Sequence, residues 1–171
     1  MAAPKWLRPR RRGEEGPPLS SVLSPLLRRG ERKKTIARQK FVALREIRAL
    51  VVHENSSQLP AGRYVFVESY CDDPECDCRR VFLQVVSHAE QERALLTINY
   101  GWERPEYYQN SLQWRAKVAR EVAAGSLDPL SPRPAYAATF LKLFREHVVD
   151  NAYKTRLKRH YKLFKASLIR E

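Results

Sequence analysis

The sequence predicts an α+β fold, in which a three-stranded antiparallel β-meander is packed by about four helices. Three consecutive runs rich in Val, Phe, Tyr and Leu predict the strands, and the two connections between them are short enough for antiparallel neighbours. The segments on either side of these runs repeat apolar residues at steps of three and four, which is typical of helices. A chain of 171 residues is long enough to bury the core of one such domain.

Residues 1–31 are predicted to form a disordered basic arm, because they are rich in Pro and Arg and offer no apolar face to bury. Residues 32–171 are predicted to form the single α+β domain. The first helix of this domain is expected over residues 33–52, where apolar side chains recur at helical spacing.

The elements of the domain follow in order along the chain. The strands are predicted over residues 63–70, 80–87 and 94–100. The next helix is expected to start near Pro105, since proline suits a first helical turn, and to end at Gly125. The last two helices are predicted over residues 135–149 and 152–169.

The formal charge of +13 is concentrated at the two ends of the chain. Residues 1–40 carry 12 Lys and Arg against 3 Asp and Glu, and residues 151–171 carry 7 against 1, whereas the middle is slightly acidic. This distribution favours a polyanionic partner, most commonly nucleic acid, bound through its phosphates without base specificity. The predicted contact residues are Arg10, Arg11, Arg12, Lys33, Lys34, Lys154, Lys158, Arg159, Lys162 and Lys165. The competing interpretation is a solubility tail and a solvated helix face.

The sequence lacks the patterns that are typical of several function classes. No stretch approaches the ~20 apolar residues that span a bilayer, and no apolar signal-peptide core is visible, so we expect a cytoplasmic protein without a membrane partner. The phosphate-binding patterns GxxxxGK and GxGxxG are missing, as are GxSxG and HExxH. An enzyme is therefore not indicated by any of these motifs.

Three cysteines within eight residues are the strongest chemical signal in the chain. Cys71, Cys76 and Cys78 lie between two predicted strands, where a tight loop can direct several thiolates at one ion. The pattern favours a structural Zn²⁺ site that stabilises a hairpin with a thin core of its own. A disulfide and free, redox-sensitive thiols are the alternatives.

The fourth ligand of such a site has several candidates. His160 is favoured, because it lies beside the apolar stripe of the last helix, although a surface histidine is the plainer interpretation. His88 is a poor candidate, because an intervening strand of about ten residues would place it roughly 30 Å from the thiolates. The other candidates are His53, His147, Asp73, Asp77 and a water molecule.

Two further functions stay open. A metal- or thiol-dependent enzyme would need an open coordination position and a nearby acid or base, for which Glu103 and Asp73 are candidates. A zinc deaminase is not indicated, because the His-Ala-Glu at residues 88–90 follows the cysteines, and their spacing differs from the deaminase pattern. A protein-interaction surface is the other open function, and its candidate residues are Trp102, Tyr107, Tyr108 and Trp114. Burial of these rings in the core is the better alternative.

Two segments together carry a family resemblance. They are Tyr70-Cys71-x-x-Pro74-x-Cys76-Asp77-Cys78-Arg79 and Arg156-Leu157-Lys158-Arg159-His160-Tyr161-x-x-Phe164-Lys165. The combination resembles a group of uncharacterised, mainly bacterial proteins over about residues 33–168. This group has no established activity, so the resemblance implies a coherent fold and adds weight to His160 without implying a reaction.

Overall fold

A computed structural model of the chain describes residues 7–8, 39–41, 48–54, 59–87 and 94–169, the first two ranges by their backbone only. Its central feature is an antiparallel sheet of the strands β1 (Leu7–Arg8), β2 (Gln39–Phe41), β3 (Arg48–Val52), β4 (Gly62–Cys71), β5 (Arg80–Ser87), β6 (Ala94–Gly101) and β7 (Ser126–Leu127). The sheet runs in the order β1-β3-β4-β5-β6-β7, with β2 paired to β4.

The predicted meander forms the middle of this sheet. Strands β4, β5 and β6 coincide with the three predicted strands, and each pairs antiparallel with the next. The predicted count of three strands is wrong, because the described residues contain seven strands, five of which have three residues or more. The additional strands lie at the edges of the meander, where β2 and β3 both pair with β4 and β7 pairs with β6.

The predicted helix over residues 33–52 is wrong wherever the structure describes it. Residues 39–41 and 48–52 are strands, and the other residues of that prediction lie outside the described ranges. In β3 the buried side chains are Leu50 and Val52, so burial alternates with the period of a strand. A short apolar run of this kind fits the period of a helix as well as that of a strand. Pairing with β4, where Leu50 lies opposite Tyr64, makes it a strand.

The predicted number of about four helices is confirmed for the described residues. They are α1 (Pro105–Leu112), α2 (Ala116–Ala124), α3 (Ala137–Leu143), which continues into a π-helical segment (Phe144–Val148), and α4 (Asn151–Leu168). The single helix predicted between Pro105 and Gly125 is interrupted at Gln113, whose φ of 54° is left-handed and ends α1. Helix α4 begins where expected, since Asp150 Oδ1 accepts a hydrogen bond from the Tyr153 N–H at 2.6 Å.

The core lies between one face of the sheet and the helices α3 and α4. Tyr64 of β4 packs edge-on against Phe140 with ring centroids 5.1 Å apart, and Tyr70 packs against Phe164 at 5.8 Å. Helix α3 therefore covers one end of β4, and α4 covers the end that leads into the cysteine loop. None of the helices within the described ranges is long and apolar enough to cross a bilayer.

Two residues of the predicted basic arm lie within the described ranges. Its residues Leu7–Arg8 form β1, which pairs antiparallel with Val51 and Val52 of β3. The other residues of the predicted arm, 1–6 and 9–31, lie outside the described ranges, and the prediction of disorder stays untested there.

Candidate metal centre

The cysteine loop, residues 72–79, connects β4 to β5 and places three sulfurs together. The Sγ atoms of Cys71, Cys76 and Cys78 all lie within 4.8 Å of one another. Cys78 is buried, the other two are partly exposed, and none of the three forms a disulfide. Within the described ranges, this is the one group of three or more His, Cys, Asp or Glu side chains close enough to hold a metal ion.

A turn at the start of the loop brings Cys76 back toward the end of β4. The Cys76 N–H donates to the Asp73 carbonyl oxygen at 3.2 Å, and the Glu75 N–H donates to Asp73 Oδ1 at 3.0 Å. Pro74 occupies the second position of this turn, where its fixed φ is favourable. The loop ends at Arg79, whose φ of 44° is in the left-handed region that non-glycine residues rarely adopt.

Helix α4 holds the loop from one side. Tyr161 donates its hydroxyl hydrogen to Asp77 Oδ1 at 3.1 Å, and the ammonium of Lys165 donates to the Asp73 carbonyl oxygen at 2.5 Å. These two residues are one helical turn apart, so they form a single face. The Tyr161 ring is fixed in turn by edge-on packing against Tyr70 of β4, with centroids 5.9 Å apart.

Helix α1 holds the loop from another side. Tyr107 donates to the Asp77 carbonyl oxygen, and Tyr108 donates to the Arg79 carbonyl oxygen at 3.0 Å. Tyr108 is buried directly against Gly101 of β6, where an added Cβ would lie 2.1 Å from the Tyr108 hydroxyl oxygen. The fold thus positions the cysteine loop through contacts that involve its backbone as well as its side chains.

The electrostatics of the loop favour neutral thiols until a cation binds. Burial raises the pKa of the Cys71 thiol. Burial, followed by the proximity of Cys78, raises the pKa of the Cys76 thiol. A metal ion would displace these protons, because only the thiolate is a strong ligand. The ammonium of Lys165 in α4 bonds to the same loop and would partly neutralise the negative charge that several thiolates bring.

The structure does not bring His160 into the sulfur group. Its Nδ1 lies 2.7 Å from Glu68 Oε2, and both side chains are buried between β4 and α4. His160 is therefore held by Glu68 and is not among the side chains grouped with the sulfurs, and its role as fourth ligand stays an untested prediction.

The other candidate ligands lie apart from the sulfurs or are engaged elsewhere. His53 is exposed, and His147 is half-buried with its Nε2 3.8 Å from Glu146 Oε2. Asp77 accepts hydrogen bonds from Arg79 and Tyr161, and the Arg79 hydrogen bond is the main reason why the pKa of its carboxyl lies below the ordinary value. His88 lies outside the described ranges.

Sequence reasoning missed Glu68 and its buried partners. Glu68 is 5% exposed, and its Oε2 also accepts a hydrogen bond from the Tyr70 hydroxyl at 2.9 Å. A signal was present, since Glu68 shares one strand face with Phe66 and Tyr70, both large and mainly apolar. A carboxylate on such a face needs a buried partner, and His160 is the partner.

The predicted nucleic-acid contacts divide into three groups. Lys158, Arg159 and Lys162 are exposed on α4, and Lys154 is half-exposed beside them. Lys165 is committed to the cysteine loop, as described above. The five predicted contacts in the N-terminal part of the chain, Arg10, Arg11, Arg12, Lys33 and Lys34, lie outside the described ranges.

The aromatic residues weighed as an interaction surface are packed against one another and against the loop. Trp114 stacks on Tyr108 with centroids 5.5 Å apart, and Trp102 packs edge-on against Tyr161 at 5.3 Å. Tyr107 donates its hydroxyl hydrogen to the loop and lies under the Arg79 guanidinium. Their contacts favour a structural role.

Comparisons of the chain with protein-family models, with curated proteins and with solved structures found no match. The resemblance to a bacterial group therefore stays a prediction.

Proposed function

We propose that this protein is a zinc-stabilised, non-catalytic binding module of the cytoplasm, in which the metal fixes the cysteine loop to α4. The observation that carries the proposal is the mutual separation of the three sulfurs, which is within 4.8 Å. Tetrahedral zinc holds thiolates at ~2.3 Å, which corresponds to sulfur atoms ~3.8 Å apart. The loop would need to contract only slightly to bind the ion.

Zinc is the metal of the proposal because thiolates are soft ligands. Sulfur-rich tetrahedral sites select zinc, Cu(I) or iron–sulfur clusters over calcium and magnesium, which prefer oxygen. In this proposal a loop carboxylate closes the fourth position, and His160 is the other protein candidate. The ion would cross-link a loop whose own backbone makes a single tight turn.

The metal content of the purified full-length protein tests this proposal. We expect one equivalent of zinc, which is lost together with thermal stability in the variant Cys76→Ser. Glu75→Gln is the matched control, because Glu75 is exposed in the same loop and outside the sulfur group. Metal-free wild-type protein of unchanged stability would refute the zinc site.

The binding partner in this proposal is nucleic acid, contacted through the basic row of α4, defined here as Lys154, Lys158, Arg159 and Lys162. Helix α4 carries no acidic residue between Asn151 and Leu168. Residues four apart rise by about 6 Å along a helix, so Lys154, Lys158 and Lys162 form a regular line of positive charge. Such a line neutralises backbone phosphates and gives affinity without base specificity.

Salt-dependent binding to a short DNA duplex of mixed sequence tests the partner. We expect the affinity to fall steeply as salt rises, because phosphate contacts release counterions. The double variant Lys158→Gln/Lys162→Gln should bind more weakly and with a smaller salt slope. Lys142→Gln/Lys117→Gln removes the same charge from exposed lysines of α3 and α2 and serves as the control. Equal loss in both double variants would reject the basic row as the contact surface.

A metal-dependent enzyme is the second candidate, and one observation favours it. Within the described ranges, the three sulfurs are not joined by a fourth His, Cys, Asp or Glu at the same distance. Three protein ligands and a water are the arrangement of catalytic zinc sites. Cobalt substitution separates the candidates, because an added anion such as cyanide changes the cobalt spectrum of an open site and leaves that of a closed one unchanged.

A further inference from the structure

We infer that the metal content of the cysteine loop controls how tightly the basic row of α4 binds nucleic acid. This inference rests on the proposed function and adds its regulation. The loop contacts α4 at Tyr161 and Lys165, which lie within one helical turn of Lys162 in the basic row. A change at the loop would reach the row through that helix.

Two side chains of α4 that the structure describes bond to the loop. Tyr161 bonds to Asp77 Oδ1 at 3.1 Å and lies 3.4 Å from the Cys76 carbonyl oxygen, next to a metal ligand. Lys165 bonds to the Asp73 carbonyl oxygen at 2.5 Å. Both bonds join α4 to the segment between Cys71 and Cys78, so they depend on the conformation that the three sulfurs share.

The basic row is rigidly connected to these two side chains. Lys162 follows Tyr161 directly and Lys158 precedes it by three residues, so all three belong to adjoining turns of α4. Tyr161 is 8% exposed and faces the core, whereas Lys158 and Lys162 face solvent. A shift or rotation of α4 at Tyr161 therefore moves the line of lysines by a similar amount.

The metal is the component that gives the loop two states. Without a cation, the loop has the turn at Asp73 and its hydrogen bonds to α1 and α4, and its sulfurs have no ion to share. With a cation, Cys71, Cys76 and Cys78 are cross-linked, and the acceptors for Tyr161 and Lys165 are fixed in place. The metal-bound loop thus favours one position of α4, and by linkage nucleic acid must strengthen zinc binding by the same factor.

The test compares zinc-loaded and chelator-stripped full-length protein in binding to the short DNA duplex. We expect the stripped protein to bind at least about fivefold more weakly, the low end of usual coupling factors. Tyr161→Phe keeps the ring packing and removes the hydroxyl link. In this variant, the zinc-loaded protein should bind more weakly than wild type, and zinc should change its affinity by less than about twofold.

Two controls separate this inference from the proposed function. Lys162→Gln should weaken binding in both metal states while leaving the zinc-dependent ratio unchanged. Equal affinity of zinc-loaded and stripped wild type, with Lys162→Gln still weakening both, would overturn the inference and leave the proposed function standing. If Lys162→Gln bound the duplex as tightly as wild type in both metal states, the proposed function would be overturned instead.

A readout without DNA covers the case in which stripped protein unfolds. Hydrogen exchange of the α4 amides is measured in zinc-loaded wild type and in zinc-loaded Tyr161→Phe, both of which retain the metal. We expect faster exchange in the second half of α4 in the variant. Identical exchange and identical duplex affinity in these two proteins would overturn the inference whatever the stripped protein does.

Discussion

The Nδ1 atom of His160 lies 2.7 Å from Glu68 Oε2, between α4 and the middle of the sheet. The two residues are 6% and 5% exposed, so their polar atoms are removed from water. The contact between them offsets the cost of that burial. The Tyr70 hydroxyl donates to the same carboxylate oxygen at 2.9 Å. This buried cluster contributes to the packing of α4 on β4.

His160→Ala should destabilise the fold without removing the metal. Its loss leaves the Glu68 carboxylate buried without its histidine partner, which typically costs about 3 kcal/mol or more. We expect this loss in the free energy of unfolding measured by urea denaturation, with an unchanged zinc content. Lys158→Ala, at an exposed site on the same helix, should change stability by less than about 0.5 kcal/mol. Loss of zinc in His160→Ala would instead identify His160 as the fourth ligand.

Gly101→Ala should disturb α1 and, through it, the cysteine loop. An added Cβ would lie 2.1 Å from the Tyr108 hydroxyl oxygen and 2.5 Å from its Cζ, so the buried ring must move. Overpacking of this kind costs about 1–3 kcal/mol. Tyr108→Phe is the comparison, since it keeps the ring and removes the hydroxyl, which donates to the Arg79 carbonyl oxygen and accepts from the Glu103 N–H. It should cost about 1 kcal/mol. A smaller loss in Gly101→Ala than in Tyr108→Phe, measured by urea denaturation, would contradict the packing argument.

The sequence sufficed for the centre of the fold and failed at its edges. Strands β4, β5 and β6 are long runs with strong β propensity, so local pattern and tertiary pairing agree. Strand β3 is short, and the apolar residues around it also fit a helix. Its pairing with β4, which is not local in the sequence, determined the outcome. The interruption at Gln113 likewise depends on how Tyr108 and Trp114 pack, which helical periodicity does not report.

The candidate site shows the same division. The cysteines are close in sequence, so their convergence in one loop could be predicted from spacing alone. The pairing of His160 with Glu68 joins residues 92 apart in the chain, and no local pattern specifies it. Lys165 appeared to belong to an exposed basic row, and only the docking of α4 shows that its ammonium bonds to the Asp73 carbonyl oxygen.

Asp150→Ala should lower stability in a pH-dependent way. Burial raises the pKa of this carboxyl, but the Tyr153 N–H and the Arg48 guanidinium outweigh burial and leave the pKa below the ordinary 3.8. A depressed folded-state pKa gives stability that is present above the unfolded value and lost as the pH falls through the folded one. We expect a loss of about 1 kcal/mol at neutral pH, as for other N-caps, shrinking below pH 3.8. Asn151→Ala is the control, and urea denaturation at several pH values is the measurement.

If wild type and Asp150→Ala differ in free energy of unfolding by as much at low pH as at neutral pH, the effect does not come from the charge. In that case Asp150→Asn, which keeps a cap of similar shape, should be as stable as wild type at neutral pH. If the charge matters, Asp150→Asn should show part of the loss at neutral pH and none in acid.

Lys165→Met should weaken zinc binding while leaving the fold intact. The ammonium bonds to the Asp73 carbonyl oxygen at 2.5 Å and lies over the Tyr161 ring, with Nζ 5.6 Å from its centroid. Three thiolates around a divalent ion leave a net charge of −1. The Lys165 ammonium partly neutralises this charge in a partly buried site. We expect a loss of about tenfold in zinc affinity, the low end for partners that support metal ligands. Competition with a chromophoric chelator measures it. Lys162→Met makes the same change one helical turn before Lys165 and should leave zinc affinity unchanged. Equal zinc affinities of wild type, Lys165→Met and Lys162→Met would show that Lys165 does not support the metal centre.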